Sequence, residues 1–226
     1  MLTKDTEDIE LKITSNGIIP LIDSSDLETS KILCNTTINS GCKIIEFGIR
    51  HEESLKHCET LLKLIKQKSP DILFGAGSIS DISNAKKVIQ IGVDFIVGPG
   101  LDKGVAKECQ ASNIFYIPGC ATVNEILKAR EMGFELIKIF PVNLLGGTKF
   151  LKAIKAPLPW LKAIPAGGIK ANLTEVIEWT NLGAKAVTLG SDLYKKDSGK
   201  INSMSDIETT LKTILKGIAE YKKNKR

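Results

Sequence analysis

A (β/α)8 barrel is the fold this sequence predicts, and three observations predict it. Eight short apolar runs of strand length recur, centred near positions 20, 45, 73, 96, 116, 138, 164 and 188. Each run is followed by a stretch with helical periodicity, and strands alternating with helices form a parallel sheet. Several runs are apolar throughout instead of alternating, as strands covered on both faces are. Eight such units in 226 residues sit near the small end of the barrel size range. A doubly wound sheet is the runner-up, disfavoured because no G-x-G-x-x-G follows the first run. The expectation is one barrel domain over residues 1–226, with additional helices at its N- and C-termini.

The elements follow in order. After a polar helical opening, Gly17 leads into Ile18-Ile19-Pro20-Leu21-Ile22, where a proline is tolerable near a strand end. Asp23, Ser24 and Ser25 are the expected caps of a helix through Leu27, Ile32 and Leu33 that glycine stops at Gly41. Ile44 to Gly48 is the second strand. A helix from Glu53 to Lys68 precedes the strand Ile72 to Phe74; one from Asp81 to Ile91 precedes Phe95 to Val97; one from Asp102 to Ala111 precedes Phe115 to Ile117. A helix from Val123 to Met132 precedes the sixth strand, Leu136-Ile137-Lys138-Ile139-Phe140. Another helix begins near Thr148, Ala163 to Pro165 is the seventh strand, and a helix from Leu173 to Leu182 precedes Ala186 to Leu189. An amphipathic helix near Ile207 to Tyr221 closes the chain.

Composition excludes several classes of function. No run of about 18 apolar residues exists, so no membrane span is expected. Residues 1–12 are rich in charge and lack an apolar signal segment, which predicts a cytoplasmic protein. Five cysteines, Cys34, Cys42, Cys58, Cys109 and Cys120, show no C-x-x-C spacing and are expected as buried, reduced thiols, with neither disulfide framework nor metal site. The net charge of +5 owes much to Lys222, Lys223, Lys225 and Arg226, expected as a solvated helix end. With 5% aromatics and no interleaving of basic and aromatic residues, no nucleic-acid partner is expected. His51 and His57 are expected in a loop and on a helix surface.

The chemistry gathers at the C-terminal ends of the strands, the functional face of such barrels. Lys138 interrupts an apolar strand. A lysine there either reaches water along its stem, as on an edge strand, or is buried where desolvation favours the neutral, nucleophilic amine. In strand two, period 2 sets Ile44, Glu46, Gly48 and Arg50 on one side. Strands two and six lie opposite each other in an eight-stranded barrel, so Glu46 and Lys138 can share one lumen layer. A buried ion pair is a poor source of net stability, which favours a chemical role for two lone charges in apolar strands. Strand three runs into Gly75-Ala76-Gly77-Ser78; Gly167-Gly168 follow strand seven and Gly190-Ser191 follow strand eight. The last two loops stand where barrels commonly hold phosphate on backbone N–H groups.

In chain order G-C-K-I-I-E-F-G-I-R, G-A-G-S, G-P-G-L, P-G-C-A-T, L-I-K-I-F-P with Gly146-Gly147, P-A-G-G-I and L-G-S resemble the bacterial 2-keto-3-deoxy-6-phosphogluconate (KDPG) and 4-hydroxy-2-oxoglutarate (KHG) aldolases from residue 17 to about residue 193. The resemblance implies a trimeric barrel and a cofactor-free, metal-free class I aldolase acting on a small keto acid. It implies Lys138 as the Schiff-base lysine, Glu46 as the proton shuttle, Arg50 and Ser78 at the substrate carboxylate, and Gly167, Gly168, Gly190 and Ser191 at the phosphate. Pro99 and Phe140 fall in the matching motifs as further substrate contacts. Gly98 stands where the family often has serine, Ala166 where it often has threonine, and Phe-Gly-Ile-Arg follows Glu46 where Thr-Leu-Arg is commoner. Ala166 removes a hydroxyl near the phosphate loop, which leaves 2-keto-3-deoxy-6-phosphogalactonate and an unphosphorylated 4-hydroxy-2-oxo acid open as substrates. Rival readings are a non-catalytic sugar-phosphate-binding barrel and a phosphate-binding isomerase or synthase.

Overall fold

The computed structural model describes residues 4–195 and 199–225. Helix α1 (Lys4–Asn16) is followed by β1 (Ile18–Ile22), α2 (Leu27–Asn39), β2 (Ile44–Gly48), α3 (Ser54–Lys68), β3 (Leu73–Gly77), α4 (Ile82–Ile91), β4 (Phe95–Val97) and α5 (Lys103–Ala111). Then come β5 (Phe115–Ile117), β6 (Gly119–Cys120), α6 (Val123–Glu131), β7 (Leu136–Ile139), α7 (Gly147–Lys155), β8 (Lys162–Pro165), α8 (Leu173–Asn181), β9 (Val187–Leu189), α9 (Ser191–Tyr194) and α10 (Met204–Asn224).

Among the described residues, every pairing between these strands is parallel. Six run side by side in the order β5-β4-β3-β2-β1-β9, and three in the order β6-β7-β8. Two joints close these arcs into the eight-stave barrel that the sequence predicts. Pro118, which has no N–H, splits the fifth stave into β5 and β6; the first half pairs with β4 and the second with β7. On the other side, the parallel pairing of Ala166 with Thr188 joins β8 to β9.

Hydrophobic burial forms two layers. Ile19, Ile44, Leu73, Phe95, Val97, Phe115, Ile117, Leu136, Ile164 and Ala186 pack in the lumen, where Ile13 of α1 joins them from the N-terminal end. Their chain neighbours, among them Ile18, Ile45, Phe74, Ile96, Ile137, Ala163 and Val187, point outward under the helices. Alternation along each stave thus builds both layers. Six helices start at side-chain caps: Asp26, Asp81, Asp102, Asn172 and Ser203 each accept a backbone N–H of their first turn, and Thr122 forms a capping box with Glu125, whereas α3, α7 and α9 start without one.

Several expectations need correction. The cap of α2 is Asp26, not Asp23, Ser24 or Ser25, and Asp23 is left for another role. Strand β3 continues to Gly77, because the Gly75-Ala76-Gly77 backbone pairs along β2 in register with Glu46, Phe47 and Gly48. His57 is buried: with Ser54, Cys58, Leu61 and Ile65 it forms the i, i+3, i+4 stripe that α3 turns inward. Lys222 is not a solvated end, since its Nζ donates to the carbonyls of Thr14 and Ser15 and caps α1; Arg226 lies outside the described residues. All five cysteines are free and buried, and burial pushes the thiols of Cys42, Cys58, Cys109 and Cys120 up to about 12. No helix among the described residues is long and apolar enough to cross a membrane.

Gly119 shows how tightly the split stave is seated, for a Cβ there would run into the backbone of Pro99 and Gly100. Backbone cannot swing away as a side chain can. Gly119→Ala is expected to lower unfolding free energy by about 1–3 kcal/mol through overpacking. Gly100, which has nothing near its missing Cβ, is the control, with Gly100→Ala within about 0.5 kcal/mol of the parent. Equal urea midpoints for the two variants would disprove the close approach.

Candidate active site

Successive staves deliver their ends to one rim. Asp23 follows β1, Arg50 follows β2, Ser78 follows β3, Phe140 follows β7, Gly167 and Gly168 follow β8, and Gly190 and Ser191 follow β9. Below the rim, Lys138 and Glu46 meet across the lumen: the Lys138 Nζ donates to Glu46 Oε1 at 3.5 Å, with Lys138 4% and Glu46 0% exposed. The Nζ also stands 5.5 Å from the centre of the Phe140 ring. Gly77 makes room for the carboxylate, since a Cβ there would collide with it. The second oxygen, Glu46 Oε2, is buried and has no hydrogen-bond partner.

Above the pair opens a cavity of about 570 Å³, within the range of small-molecule sites. Lys138 reaches it from below, and Arg50, Phe140, Gly167, Gly168, Gly190 and Ser191 line it. Of the expected residues, Glu46, Ser78 and Pro99 do not line it. Glu46 joins through Lys138 and Ser78 through Arg50. Pro99 joins through neither, and its carbonyl packs at Gly119.

Arg50 is held by two partners. Its Nε donates to Ser78 Oγ at 2.7 Å and its Nη1 to Asp23 Oδ2 at 2.8 Å. Asp23 Oδ1 lies 3.1 Å from His51 Nε2. Ser78 has a φ of 64°, a left-handed conformation that a non-glycine residue adopts only when its surroundings demand it.

The two glycine loops are fastened to each other and to their neighbours. Gly167 and Gly168 have φ of 94° and 81°. A Cβ on Gly167 would press on Phe140 and Pro141, and one on Gly168 on Asn143, whose side-chain amide donates to the Gly168 carbonyl. Asp192 bridges the loops: Oδ2 accepts the Ala171 N–H at 2.7 Å and Oδ1 the Lys170 ammonium at 2.9 Å. Tyr194 anchors α9 to α2 through a 2.8 Å hydrogen bond with Thr37, and burial pushes its hydroxyl well above the usual range.

Sequence reasoning missed Asp23, Thr188, Lys170, Asp192 and Tyr194, all of which line the cavity. Asp23 had a readable signal, because it is the first residue after an apolar stave, on the rim where Arg50 stands. Thr188 is the lone polar residue in Ala186-Val187-Thr188-Leu189, as Lys138 is in its own strand. Among the described residues, no group of three or more His, Cys, Asp or Glu side chains is placed to hold a metal ion.

The geometry is that of a buried amine beside a carboxylate under a cavity rimmed by an arginine and two glycine loops, and the chain as a whole is similar to known proteins. The family pattern described as "Aldolase: KDPG and KHG aldolase" matches residues 9–210. The chain is 32% identical over 155 residues to the 2-dehydro-3-deoxy-phosphogluconate aldolase of Treponema pallidum (strain Nichols), covering 69% of this chain and 72% of that protein. It is 27% identical over 157 residues to the KHG/KDPG aldolase of Escherichia coli (strain K12), covering 70% of this chain and 72% of that one. The crystal structure of KDPG aldolase from Legionella pneumophila, with pyruvate captured at low pH as a covalent carbinolamine intermediate, aligns with a TM-score of 0.80 at 27% identity. That alignment covers 94% of this chain and 98% of the other. The chain belongs to the KDPG and KHG aldolase family of carbon–carbon lyases.

Proposed function

We propose that this protein is a class I aldolase that cleaves 2-keto-3-deoxy-6-phosphogluconate to pyruvate and glyceraldehyde 3-phosphate. The observation that carries the reading is the buried Lys138–Glu46 pair, at 3.5 Å, under a cavity rimmed by an arginine and two glycine loops. A buried ion pair contributes little net stability, so its presence in an apolar lumen calls for a chemical reason.

Each step has a group to perform it. The Lys138 amine attacks the C2 ketone, and Glu46, with a water, moves the protons that turn the carbinolamine into an iminium with loss of water. The iminium withdraws electrons. Glu46 takes the C4 hydroxyl proton as the C3–C4 bonding electrons flow into the iminium, releasing the aldehyde and leaving an enamine. Protonation at C3 and addition of water then return pyruvate and the free lysine. Arg50, its Nε and Nη1 already committed to Ser78 and Asp23, keeps its other N–H groups for the substrate carboxylate. Gly167, Gly168, Gly190 and Ser191 receive the phosphate on backbone donors, and Phe140 covers the amine. The proposal includes a cytoplasmic homotrimer, which sedimentation of the purified protein would check.

Ala166 favours a second substrate. It lines the cavity beside Gly167 with no hydroxyl to offer, so 4-hydroxy-2-oxoglutarate, cleaved to pyruvate and glyoxylate by the same steps, is the alternative.

Borohydride reduction in the presence of pyruvate is expected to attach one pyruvyl group to Lys138, and Lys138→Ala to abolish both adduct and turnover while the circular dichroism spectrum stays that of the parent. An adduct on another lysine would overturn the assignment. Glu46→Gln keeps size and hydrogen-bonding shape without the base, and turnover is expected to fall on the order of 100-fold to 10,000-fold; a loss below threefold would make Glu46 structural. The phosphorylated keto-deoxy acid is expected to exceed its dephosphorylated counterpart and 4-hydroxy-2-oxoglutarate in kcat/KM by at least roughly 100-fold, since a few charge-assisted hydrogen bonds suffice. Equal efficiency on all three would keep the aldolase pair and refute the phosphate site.

A further inference from the structure

Thr188 is a polar residue where the fold itself asks for an apolar one. In β9, Val187 and Leu189 pack outward under the helices and Ala186 belongs to the lumen layer, so the period of the strand turns Thr188 inward. Its side chain is buried at 5% exposure, and its Oγ1 has no hydrogen-bond partner. The neighbours across the sheet offer none: Thr188 is in register with Ile19 on β1 and with Ala166 beyond β8. An unpaired buried hydroxyl is unfavourable in the empty protein, and valine would fill the same space without that cost. The residue nevertheless lines the cavity that Lys138 and Phe140 enter.

Its position along the cavity identifies its partner. Thr188 stands two residues before Gly190 and opposite the residue that precedes Gly167, so it lies between the amine of Lys138 and the two glycine loops. A keto-deoxy sugar acid bound through C2 at Lys138, with its far anion at those loops, spans that interval with C4 and C5, each bearing a hydroxyl. A threonine hydroxyl both donates and accepts, which suits an alcohol better than an anion. We propose that Thr188 is a specificity-determining residue that hydrogen-bonds the hydroxyl-bearing carbons between the keto group and the far anion of the substrate. This rests on the aldolase reading and adds to it the recognition of the aldehyde half.

Pyruvate lacks those carbons, and this separates recognition from structural support. In Thr188→Val, cleavage of the 6-phosphorylated keto-deoxy acid is expected to lose 10-fold to 100-fold in kcat/KM, because a site built to bind a hydroxyl discriminates strongly once the pairing is removed. Borohydride trapping of pyruvate is expected to stay within threefold of the parent, and the melting temperature to equal or exceed the parent's. Thr188→Ser, which keeps the hydroxyl, is expected to restore most of the cleavage. Cleavage by the valine variant within twofold of the parent would overturn the proposal. So would loss of pyruvate trapping in proportion to cleavage, the mark of a structural role. Should the parent itself fail to trap pyruvate, the aldolase reading falls first. Parent-like cleavage by the valine variant of a protein that does trap pyruvate defeats the Thr188 proposal alone.

Discussion

Burial of one amine beside one carboxylate is the constraint around which the lumen is arranged. Taking both charges out of water costs more than a pair with a single 3.5 Å contact returns. The surroundings must therefore be rigid enough to hold the pair against relaxation, and the barrel supplies that rigidity from two sides. From below, the apolar lumen layer ending at Ile13 of α1 closes the cavity to solvent. At the pair itself, Gly77 of β3 leaves the space that the Glu46 carboxylate fills, while Gly75 on the same strand leaves space for Phe95 of the lumen layer. Two glycines two residues apart let one stave accept a charged side chain and an aromatic ring on the same face, which any larger residue at either position would forbid.

The rim is rigid in a different way. Hydrogen bonds fasten its loops: Asp192 ties the loop after β8 to α9, and Asn143 ties the loop after β7 to Gly168. On the proposed reading, in which Gly167, Gly168, Gly190 and Ser191 receive the phosphate, loops already fastened in this way would bind it with little reordering, and preorganisation of this kind lets remote binding energy act on the reacting carbons. Four buried side-chain polar atoms lack a hydrogen-bond partner among the described residues; His57 Nδ1 and Trp179 Nε1 belong to helices α3 and α8, and the other two bear on the site. Glu46 Oε2 and Thr188 Oγ1 are both buried without partners, and both belong to lumen-facing positions of the staves that carry the rim.

The barrel was legible in the sequence because parallel staves covered on both faces leave unbroken apolar runs, and because six of the helix starts carry Asp, Asn, Ser or Thr. Glu46 and Lys138 were legible for the converse reason, as charges in such runs. What the sequence hid was set by tertiary approach. Gly75 to Gly77 has weak strand propensity and became strand only by pairing with β2. His57 looked like a surface residue by type, yet the packed face of α3 includes it. Asp23 stood among three plausible caps, and choosing Asp26 as the cap required the backbone geometry of the turn. Thr188 was hidden because threonine is common in strands, so its hydroxyl gains meaning only once Ile19 and Ala166 are found beside it.

Asp23 and Ser78 together explain why the residue at the end of β2 is an arginine. A lysine there would present a single point charge, and Asp23 would satisfy much of it. The guanidinium is a planar fork with five donors, and here two of its nitrogens are spent on anchoring, Nε to Ser78 and Nη1 to Asp23. The anchors fix the plane, and the N–H groups they leave can face a carboxylate without paying to order a long side chain. The left-handed backbone of Ser78 costs roughly 1–2 kcal/mol for a residue with a Cβ, an expense that a mere turn would avoid by using glycine, as Gly77 just before it shows glycine to be available. Serine at that position keeps the hydroxyl that Arg50 requires, and the strained turn sets it 2.7 Å from the guanidinium. His51, against the other oxygen of Asp23, completes the arrangement by holding the carboxylate from its far side, so that the arginine is braced by a residue that is itself braced.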